Sequence, residues 1–400
     1  MADAILTFNA GSSSLRFSLS RIATDRQLSL ICEGQIEGIG TAPHLLAKDP
    51  CGTVLAERRW NDSDPDYAGL VRHSMAWIDE HLGGDKIVGV GHRVVHGGAN
   101  HDRPQLVTPD LLGALDRLTP LAPLHLPHNI APIRILAQAR PDLPQIASFD
   151  TAFHHGVPVV ATRFALPREY EAQGIRRYGF HGLSYEYIAG VLRETAPDLA
   201  HGRVIVAHLG NGASLCAMQD GHSMDTTMGF TALDGLMMGT RCGNLDPGVI
   251  LYLEQQQGLT PQAVQDILYK KSGLLGVSGI SGDMRVLLAS KAPSARDAID
   301  LFVFRIAREI GALTSSLGGL DGLVFTGGIG EHAPAIRSLI CAKLGWLGLV
   351  LDGAANLRGA RIISGPESHI AVHIIATNEE AMIARHTLDV VLPVAILHVI

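Results

Sequence analysis

Two segments of the sequence, half a chain apart, share one layout, and this similarity constrains the fold more than any other feature. Residues 4–20 and 204–221 each start with an apolar stretch, pass through a short loop of Asn, Gly and Ser, and end in apolar and small residues. We interpret each segment as strand, tight turn and strand, with Gly11 and Gly212 able to adopt the positive φ that such turns can require. Two unrelated hairpins could look alike, but their spacing of about 200 residues in a chain of 400 favours a duplicated domain.

Strand-like apolar runs alternate with helical patterns along most of the chain, which predicts an α/β architecture. The predicted strands are residues 4–8, 87–91, 145–149, 203–209, 322–326 and 371–375. A helix is clearest between Ile299 and Leu317, where apolar residues recur every three or four positions. The length favours two domains. We assign residues 1–149 and 380–400 to the first and residues 150–379 to the second.

Composition excludes several classes of protein. The chain is 46% hydrophobic and 18% charged, which can fill a sizeable core and excludes a disordered or collagen-like chain. Its net charge of −7, without any basic run, argues against a nucleic-acid partner. Five widely spaced cysteines indicate reduced thiols in the cytoplasm. We expect no signal peptide and no membrane partner, and a C-terminal tail, residues 390–400, that docks on the fold.

The sequence contains four glycine-rich loops, each of which we expect to follow a strand. They are residues 9–14, 208–214, 277–285 and 326–334. The N–H groups of such loops can converge on phosphate oxygens, because no side chains intervene. A single loop of this kind is usually only a turn, and the missing Walker sequence excludes a P-loop fold. Four such loops in one chain predict phosphate binding.

The last of these loops also fits a rival hypothesis. Gly328, Gly330 and Ala333 have the spacing of a dinucleotide-binding fingerprint, and Asp352 ends the next apolar run, where such folds bind a ribose hydroxyl. Only 48 residues follow Asp352, too few to complete two mononucleotide-binding halves. A dehydrogenase would also leave the other three loops unexplained, so it is the minority hypothesis.

Charged residues stand at the ends of predicted strands. Arg93 lies in a glycine-flanked turn, Asp150 ends the strand 145–149, and Arg241 lies in a glycine-rich segment. Most of the 19 histidines are expected to be structural and most arginines to form surface ion pairs. Functional side chains of α/β folds nevertheless collect at strand ends. Arginine, histidine and carboxylates beside glycine loops suit phosphoryl transfer, which depends on positioning, cations and Mg²⁺. A zinc site is not expected, because no zinc-ligand spacing occurs.

In chain order, the motifs resemble those of the acetokinase (acetate kinase) family, within the superfamily of acetate and sugar kinases, heat-shock chaperones and actin. The motifs are FNAGSSSLRFSL, GHRVVHGG, FDTAFH, RRYGFHGLSY, HLGNGAS, MGTRCGNLDPG, SGDMR, GGIGEHAP and ATNEEAMIA. The resemblance implies two actin-like, ribonuclease H-like domains with an active-site cleft between them, and a homodimer. It also implies reversible, Mg²⁺-dependent transfer of the ATP γ-phosphoryl group to acetate, giving acetyl phosphate and ADP, with Mn²⁺ able to replace Mg²⁺.

The resemblance implies roles for individual residues. Asn9 and Glu379 look like the Mg²⁺-associated pair, and Arg93 is similar to the residue that holds the substrate carboxylate or its phosphoryl group. Asp150 matches the family's catalytic acidic residue. A carboxylate acceptor is already ionised at pH 7, so we expect Asp150 to orient its neighbours rather than to accept a proton. The residues that match the groups around the transferred phosphoryl are His125, His181 and Arg241.

The resemblance also implies which residues contact the nucleotide and which contact the carbon tail of the substrate. The residues expected to contact the nucleotide are Ser12, Ser14, Arg16, His208, Leu209, Gly210, Asn211, Gly212, Asp283, Met284, Arg285, Gly327, Gly328, Ile329, Gly330 and Glu331. Val95, Leu124 and Phe180 are expected to line a small pocket for the carbon tail of the substrate.

The chain departs from the family pattern at four positions. Arg16 replaces a lysine, which keeps the charge but changes reach and geometry. Leu126 and His332 each stand where asparagine is usual, and Ala232 where proline is common. The extra room beside Ala232 keeps propionate kinase open as an alternative. An actin-like or chaperone-like ATP switch is the alternative that is not a kinase, although it would not need Arg93, His181 and Arg241.

Overall fold

The computed structural model describes residues 2–11, 14–61 and 65–393. Its strands are β1 (Asp3–Ala10), β2 (Ser14–Ile22), β3 (Leu28–Glu37), β4 (His44–Lys48), β5 (Val54–Arg59), β6 (Lys86–Val94), β7 (Gln105–Leu106), β8 (Gln145–Phe149), β9 (Arg203–Leu209), β10 (Ala213–Gln219), β11 (His222–Thr226), β12 (Gly322–Thr326) and β13 (Ala371–Ile374). The six predicted strands are confirmed, as β1, β6, β8, β9, β12 and β13.

The α-helices are α1 (Tyr67–His81), α2 (Pro109–Arg117), α3 (Leu126–Ala139), α4 (Val159–Thr162), α5 (Arg168–Ala172), α6 (Gly182–Thr195), α7 (Pro197–Ala200), α8 (Pro247–Gln255), α9 (Pro261–Lys270), α10 (Gly273–Ser278), α11 (Met284–Ala289), α12 (Pro293–Leu317), α13 (Gly327–His332), α14 (Pro334–Lys343), α15 (Gly353–Leu357) and α16 (Glu379–Val391). The helix expected at 299–317 is confirmed as α12. Its apolar side is buried, and it ends at Gly318, which adopts the left-handed conformation with φ of 69°.

The chain forms two compact units. Unit 1 contains the described residues up to Ala152 and those from Asn378 onward, and unit 2 contains Phe153–Thr377. The division therefore places Asp150 and Glu379 in unit 1, whereas the boundaries expected from the sequence placed both in the second domain.

Unit 1 is built on an eight-stranded sheet in the order β5-β4-β3-β2-β1-β6-β8-β7. Strands β1 to β5 form antiparallel neighbours, and β1, β6 and β8 run parallel to one another. Helix α16 packs on β1, β6 and β8. It comes close to β6 because Gly91 has no side chain: a Cβ there would lie 2.2 Å from Thr387 Oγ1 and 2.5 Å from Ile383 Cγ2. This close packing fixes the start of α16 near the ends of the parallel strands.

Unit 2 is built on a five-stranded sheet in the order β11-β10-β9-β12-β13. Its three strands β11, β10 and β9 are antiparallel, and β9, β12 and β13 are parallel. The order β3-β2-β1-β6-β8 in unit 1 has the same directions. The predicted duplication is therefore present as a repeated topology, which is that of the duplicated actin-like fold.

Both predicted hairpins are present, as β1–β2 and β9–β10, but the expected reason for their glycines is wrong. Neither Gly11 nor Gly212 lies in the left-handed region. A Cβ on Gly11 would lie 3.1 Å from Ser14 Oγ, and one on Gly212 would lie 2.8 Å from Arg241 Nη2. Close approach by neighbouring side chains, rather than a positive φ, explains why glycine suits these turns.

The dehydrogenase hypothesis is wrong where it depended on Asp352. The apolar run before this residue forms only an isolated bridge, between Leu351 and Ser364. The Asp352 carboxylate accepts hydrogen bonds from the N–H groups of Ala354 and Ala355 and so caps α15. It is therefore a helix cap and not a ribose-binding residue at the end of a strand.

The described part of the chain contains no helix that is long and apolar enough to cross a bilayer. The expectation of a docked C-terminal tail falls largely on residues 394–400, which lie outside the described residues.

Candidate active site

In unit 1, polar side chains meet at the carboxyl ends of the parallel strands. Asn9 is the last residue but one of β1, Arg93 the last but one of β6, and Asp150 follows β8 directly. Because β1, β6 and β8 are parallel, these three residues share one edge of the sheet. Glu379 and Glu380 open α16 at the same edge. The topology therefore gathers a cation, an amide and three carboxylates from four distant parts of the sequence.

Arg93 is held mainly by Asp150. Its Nε lies 3.1 Å from both Oδ1 and Oδ2 of Asp150, and Nη2 donates a further hydrogen bond to Oδ2. Nη1 donates to Asn9 Oδ1 at 3.3 Å, and Glu379 Oε2 lies 3.7 Å from Nε. The Asp150 side chain is 1% exposed and that of Arg93 is 20% exposed. A guanidinium in this geometry is oriented by one buried carboxylate and keeps an accessible portion for an anion.

Burial and the charge of the ion-pair partner act in opposite directions on the pKa of Asp150, and likewise on that of Arg93. Burial raises the pKa of Asp150 above its usual value, while the charge and hydrogen bonds of Arg93 act against that rise. Burial disfavours the charged form of Arg93, but the carboxylates of Asp150 and Glu379 outweigh it and hold its pKa above the usual value. Burial, and next the charge of Glu379, raise the pKa of Glu380. An additional cation at this edge would relieve the repulsion among the carboxylates.

The donor set around Asn9 suits Mg²⁺. Asn9 Nδ2 donates to Glu379 Oε2 and Glu380 Oε1, each at 3.2 Å, while Asn9 Oδ1 accepts from Arg93, so an amide and two carboxylates lie close together. Mg²⁺ prefers oxygen ligands and usually binds through one or two carboxylates, waters and substrate phosphates rather than in a cage made of protein alone. Within the described residues, no group of three or more His, Cys, Asp and Glu side chains forms such a cage. Asn9, Glu379 and Glu380 can therefore supply part of the oxygen ligands of a metal that arrives with a phosphate.

Asn129 supports this edge, and the sequence analysis did not single it out. It lies on α3, is 2% exposed, accepts a hydrogen bond from Val95 N at 2.9 Å and donates one to Ala10 O. It thereby ties the end of β1 to the residue that follows β6. It lies four residues after His125, in the segment 123–129, and this was the available signal. Its partners, 34 and 119 residues away, could not be inferred from spacing.

In unit 2, two cationic or polar nitrogens converge beside Gly212. A Cβ on this glycine would lie 2.8 Å from Arg241 Nη2 and 3.2 Å from His181 Nε2. Arg241 Nη1 donates to the carbonyl oxygen of Ala232, which fixes the guanidinium. The segment before Arg241 is tied to the glycine loop by a hydrogen bond from Gly239 N to Asn211 O at 3.1 Å. An anion beside Gly212 would therefore meet donors from two separate loops.

His181 has an unusual backbone, with φ of 59° and ψ of 24°, directly before α6. Few residues other than glycine adopt this left-handed conformation, and such strain is common at functional sites. The ring stacks on that of His208, with centroids 4.3 Å apart and planes 19° apart. Ser214 and Ser184 contact the Nδ1 atoms of His181 and His208, each at 2.8 Å. Sequence reasoning missed both serines, although Ser184 lies in the motif HGLSY.

The predicted nucleotide loops have defined structures. Residues Gly327–Glu331 form most of the short helix α13, which directly follows β12. Glu331 turns back to accept hydrogen bonds from Gly327 N at 2.9 Å and from Thr377 N at 3.2 Å. The expectation that the loop 277–285 follows a strand is wrong, because the loop runs from the end of α10 to the start of α11. In this loop Asp283 caps α11 and pairs with Arg285, whose side chain is 91% exposed. These loops and the Gly212 turn all belong to unit 2.

The other predicted residues are placed as follows. Arg16 is exposed on β2 and pairs in register with Asn9. Ser14 begins β2, while Ser12 lies outside the described residues. In unit 1, Val95 is buried, Leu124 is half-buried and His125 precedes α3.

Leu126, which departs from the family pattern, is fully buried in unit 1. In unit 2, Phe180 is buried, Ala232 is half-buried, and His332 is exposed with its Nε2 3.8 Å from Glu331 Oε2. The roles assigned to all of these residues stay predictions.

The two units share one topology. Unit 1 carries a carboxylate cluster around an arginine, and unit 2 carries glycine loops lined by histidine and arginine. This combination defines a phosphotransferase of the duplicated actin-like class. The sequence profile of the Acetokinase family matches residues 4–385. The chain is 54% identical over 393 residues to an acetate kinase from Rhodopseudomonas palustris, covering 96% of this chain and 98% of that one. It is 49% identical to an acetate kinase from Nitrobacter hamburgensis over 391 residues, covering 98% and 96%. The chain belongs to the acetokinase family, and it is a phosphotransferase whose acceptor is a carboxyl group.

Solved structures agree with this assignment. The fold matches a propionate kinase from Francisella tularensis with a TM-score of 0.89 and 38% identity, covering 97% of this chain and 99% of that one. It matches the Porphyromonas gingivalis acetate kinase with a TM-score of 0.86 and 34% identity, covering 97% and 100%. Both the order of the motifs and the fold therefore extend over nearly the whole chain.

Replacing Gly212 by alanine tests the convergence of Arg241 and His181. The added Cβ would lie 2.8 Å from the flexible end of Arg241, which must shift, so we expect kcat to fall about 10- to 100-fold. The melting temperature should change little, because no backbone atom is in the way. Gly190→Ala is the matched control, since a Cβ there meets nothing within 4 Å. Equal activity of the two variants would contradict the convergence.

Proposed function

We propose that the protein is a Mg²⁺-dependent acetate kinase, which transfers the γ-phosphoryl group of ATP directly and in line to acetate, giving acetyl phosphate and ADP reversibly. The observation that carries the proposal is Arg93, an accessible guanidinium oriented by the buried carboxylate of Asp150. Acetate is a small anion, and a planar guanidinium is the side chain best suited to bind a carboxylate. Membership of the acetokinase family supports the same reaction.

In the proposed mechanism, Arg93 binds and orients the acceptor. Acetate is ionised at neutral pH and can attack without losing a proton, so the reaction requires no general base. Asp150 is therefore assigned to hold Arg93, with which it already forms three hydrogen bonds. Val95, Leu124 and Phe180 are proposed to contact the methyl group of acetate, and His125 to lie near the phosphoryl group.

Asn9 and Glu379 are proposed to hold Mg²⁺, with Glu380 beside them. A Mg²⁺ ion held there would supply positive charge to offset the negative charge of the phosphate oxygens. Mn²⁺, which also prefers oxygen ligands, could replace it. The mutual proximity of the amide and the two carboxylates supports this assignment.

His181 and Arg241 are proposed to stabilise the charge on the equatorial oxygens of the transferring phosphoryl group. Their nitrogens converge beside Gly212, which supports a common target. The nucleotide is proposed to bind along the loops of unit 2. The residues proposed to contact it there are 208–212, 283–285 and 327–331, and the resemblance to the family adds Ser12, Ser14 and Arg16 as further proposed contacts.

Propionate is the second candidate acceptor. Arg241 Nη1 donates a hydrogen bond to the carbonyl oxygen of Ala232. At this position the sequence departs from the usual proline. A protein named propionate kinase also has the same fold over nearly its whole length. One methylene changes transition-state binding by only about 1–3 kcal/mol, so a small change in the pocket can reverse the preference.

We also propose a cytoplasmic homodimer. All five cysteines are free, which suits a reducing compartment. Helix α8 has no buried residue, yet it carries Leu251 and Tyr252, which are 52% and 56% exposed. Val249 on the same helix and Leu245 before it are exposed too. An exposed apolar stripe of this kind is typical of a protein interface, and a second copy of the chain is the proposed occupant.

The acceptor series tests the proposed reaction. We expect acyl phosphate, trapped as its hydroxamate, from MgATP with acetate, propionate and butyrate, and kcat/KM should fall in that order because each methylene must be accommodated. Chelation of the metal should abolish turnover, and added Mg²⁺ should restore it. In the Arg241→Ala variant, kcat should fall severely while nucleotide affinity changes modestly.

Propionate as the best acceptor would make the protein a propionate kinase. If none of the three acids gave acyl phosphate while the nucleotide bound tightly, the kinase proposal would be wrong. The result would then favour the alternative hypothesis of an ATP switch.

Substitutions on α8 test the proposed dimer. Light scattering after size exclusion should give twice the chain mass of 42.6 kDa for the unmodified protein. The double variant with Leu251→Asp and Tyr252→Asp should elute as a single chain, because two carboxylates cannot be buried in an apolar interface. Leu357→Asp is the control, since Leu357 is 75% exposed on α15. A monomeric unmodified protein would refute the proposal.

A further inference from the structure

Two short chains of hydroxyl groups lead to the stacked imidazoles of unit 2. In the first, Tyr185 Oη contacts Ser214 Oγ, and Ser214 Oγ lies 2.8 Å from His181 Nδ1. In the second, Thr377 Oγ1 donates to Ser184 Oγ at 2.8 Å, and Ser184 Oγ lies 2.8 Å from His208 Nδ1. Both chains end on the same ring nitrogen of their histidine, and the two rings lie 4.3 Å apart.

Proton counting gives the first chain a direction. Tyr185 is fully buried, and within the described residues its hydroxyl has one hydrogen-bond partner, Ser214. A buried hydroxyl that fails to donate is strongly disfavoured, so Tyr185 donates to Ser214. The pKa of Tyr185 is raised well above its usual value by burial, which keeps the proton on the phenol. The single proton of Ser214 is then directed at His181 Nδ1, which must act as an acceptor.

The second chain has the same direction. The Thr377 hydroxyl donates to Ser184, so the Ser184 proton is left for His208 Nδ1. Thr377 is itself fixed, because its backbone N–H donates to Glu331 Oε1 at 3.2 Å. In both histidines Nδ1 therefore accepts, and the ring proton resides on Nε2.

We propose that Ser214 with Tyr185, and Ser184 with Thr377, are positioning residues that hold His181 and His208 as neutral Nε2–H tautomers. His181 then presents an N–H donor to the phosphoryl group without carrying a full charge. The second half of this inference rests on the proposed kinase function, whereas the tautomers do not.

Proton counting also makes His181 a neutral donor. An imidazolium carries a proton on both ring nitrogens, so its Nδ1 could not accept the hydrogen bond that Ser214 donates. With Nδ1 occupied by Ser214, the Nε2 nitrogen that converges with Arg241 beside Gly212 carries the proton. Loss of the Ser214 hydroxyl would let the proton exchange between the two nitrogens and leave an acceptor facing the phosphoryl oxygens.

The test uses the full-length protein labelled with ¹⁵N-histidine. We expect long-range ¹H–¹⁵N spectra to show His181 as the Nε2–H tautomer in the unmodified protein and as a mixture of tautomers in Ser214→Ala. In the same variant kcat should fall roughly tenfold or more, with KM for ATP changed less than about twofold, since the lost interaction acts on the transferring group. Tyr185→Phe keeps the ring but removes the donor, so its loss of kcat should be intermediate.

Ser223→Ala is the matched control. Ser223 is a buried serine of the same unit whose hydroxyl lies 2.8 Å from a buried imidazole, that of His154. It should lower stability about as much as Ser214→Ala does and leave the tautomer of His181 and kcat nearly unchanged. If Ser214→Ala does not fold, the same two measurements on Tyr185→Phe decide the question.

A His181 found as the Nδ1–H tautomer in the unmodified protein would overturn the inference. So would equal losses of kcat in Ser214→Ala and Ser223→Ala. If the unmodified protein made no acyl phosphate but His181 showed the expected tautomer, the proposed kinase function would fail while the tautomer assignment would stand.

Discussion

The ion pair between Arg93 and Asp150 is the interaction on which the site in unit 1 depends. Asp150 is almost completely buried, and a buried carboxylate without a partner would be strongly destabilising. The pairing is possible only because β6 and β8 are parallel neighbours, which brings residues 57 positions apart to one edge of the sheet. The same pair leaves part of Arg93 accessible. The ion pair therefore stabilises the buried carboxylate of Asp150 and also fixes the part of Arg93 that an anion can reach.

The duplicated topology is used with different chemistry in the two units. In unit 1, the ends of the parallel strands carry charged groups: one arginine, the carboxylate that follows β8, and two more at the start of α16. In unit 2, the corresponding region carries glycine turns and imidazoles held by buried hydroxyl groups. A carboxylate cluster suits a metal and an anionic acceptor, while glycine turns suit phosphate oxygens. The repeated fold thus carries two chemically different surfaces.

The sequence was sufficient to predict the repeated hairpins, the strands and the long helix, because each produces a local pattern of apolar residues. It was misleading where one local pattern has two explanations. The spacing of Asp352 fits a ribose-binding acid, yet its side chain caps α15. Gly212 fits a turn glycine, yet its value lies in the room it leaves for Arg241.

The supporting residues could not be predicted from the sequence. Asn129, Ser184 and Ser214 each act through partners that only the fold brings near, such as Ala10, which is 119 residues from Asn129. Buried serines and asparagines are also common in any core, so their presence in a motif carries little information. The order of the motifs predicted the family, and the match of the Acetokinase family profile to residues 4–385 confirmed that prediction.

We propose that Arg93, oriented by Asp150, binds the acceptor carboxylate. The most direct measurement compares Arg93→Lys with the control Arg103→Ala, which removes an arginine that is 74% exposed and paired with Asp102. Lysine keeps the charge beside Asp150 but loses the planar pair of donors, so kcat/KM for acetate should fall about 100-fold while the Kd for ATP changes less than about twofold. An unchanged kcat/KM for acetate in Arg93→Lys, or an equal loss in Arg103→Ala, would contradict the account.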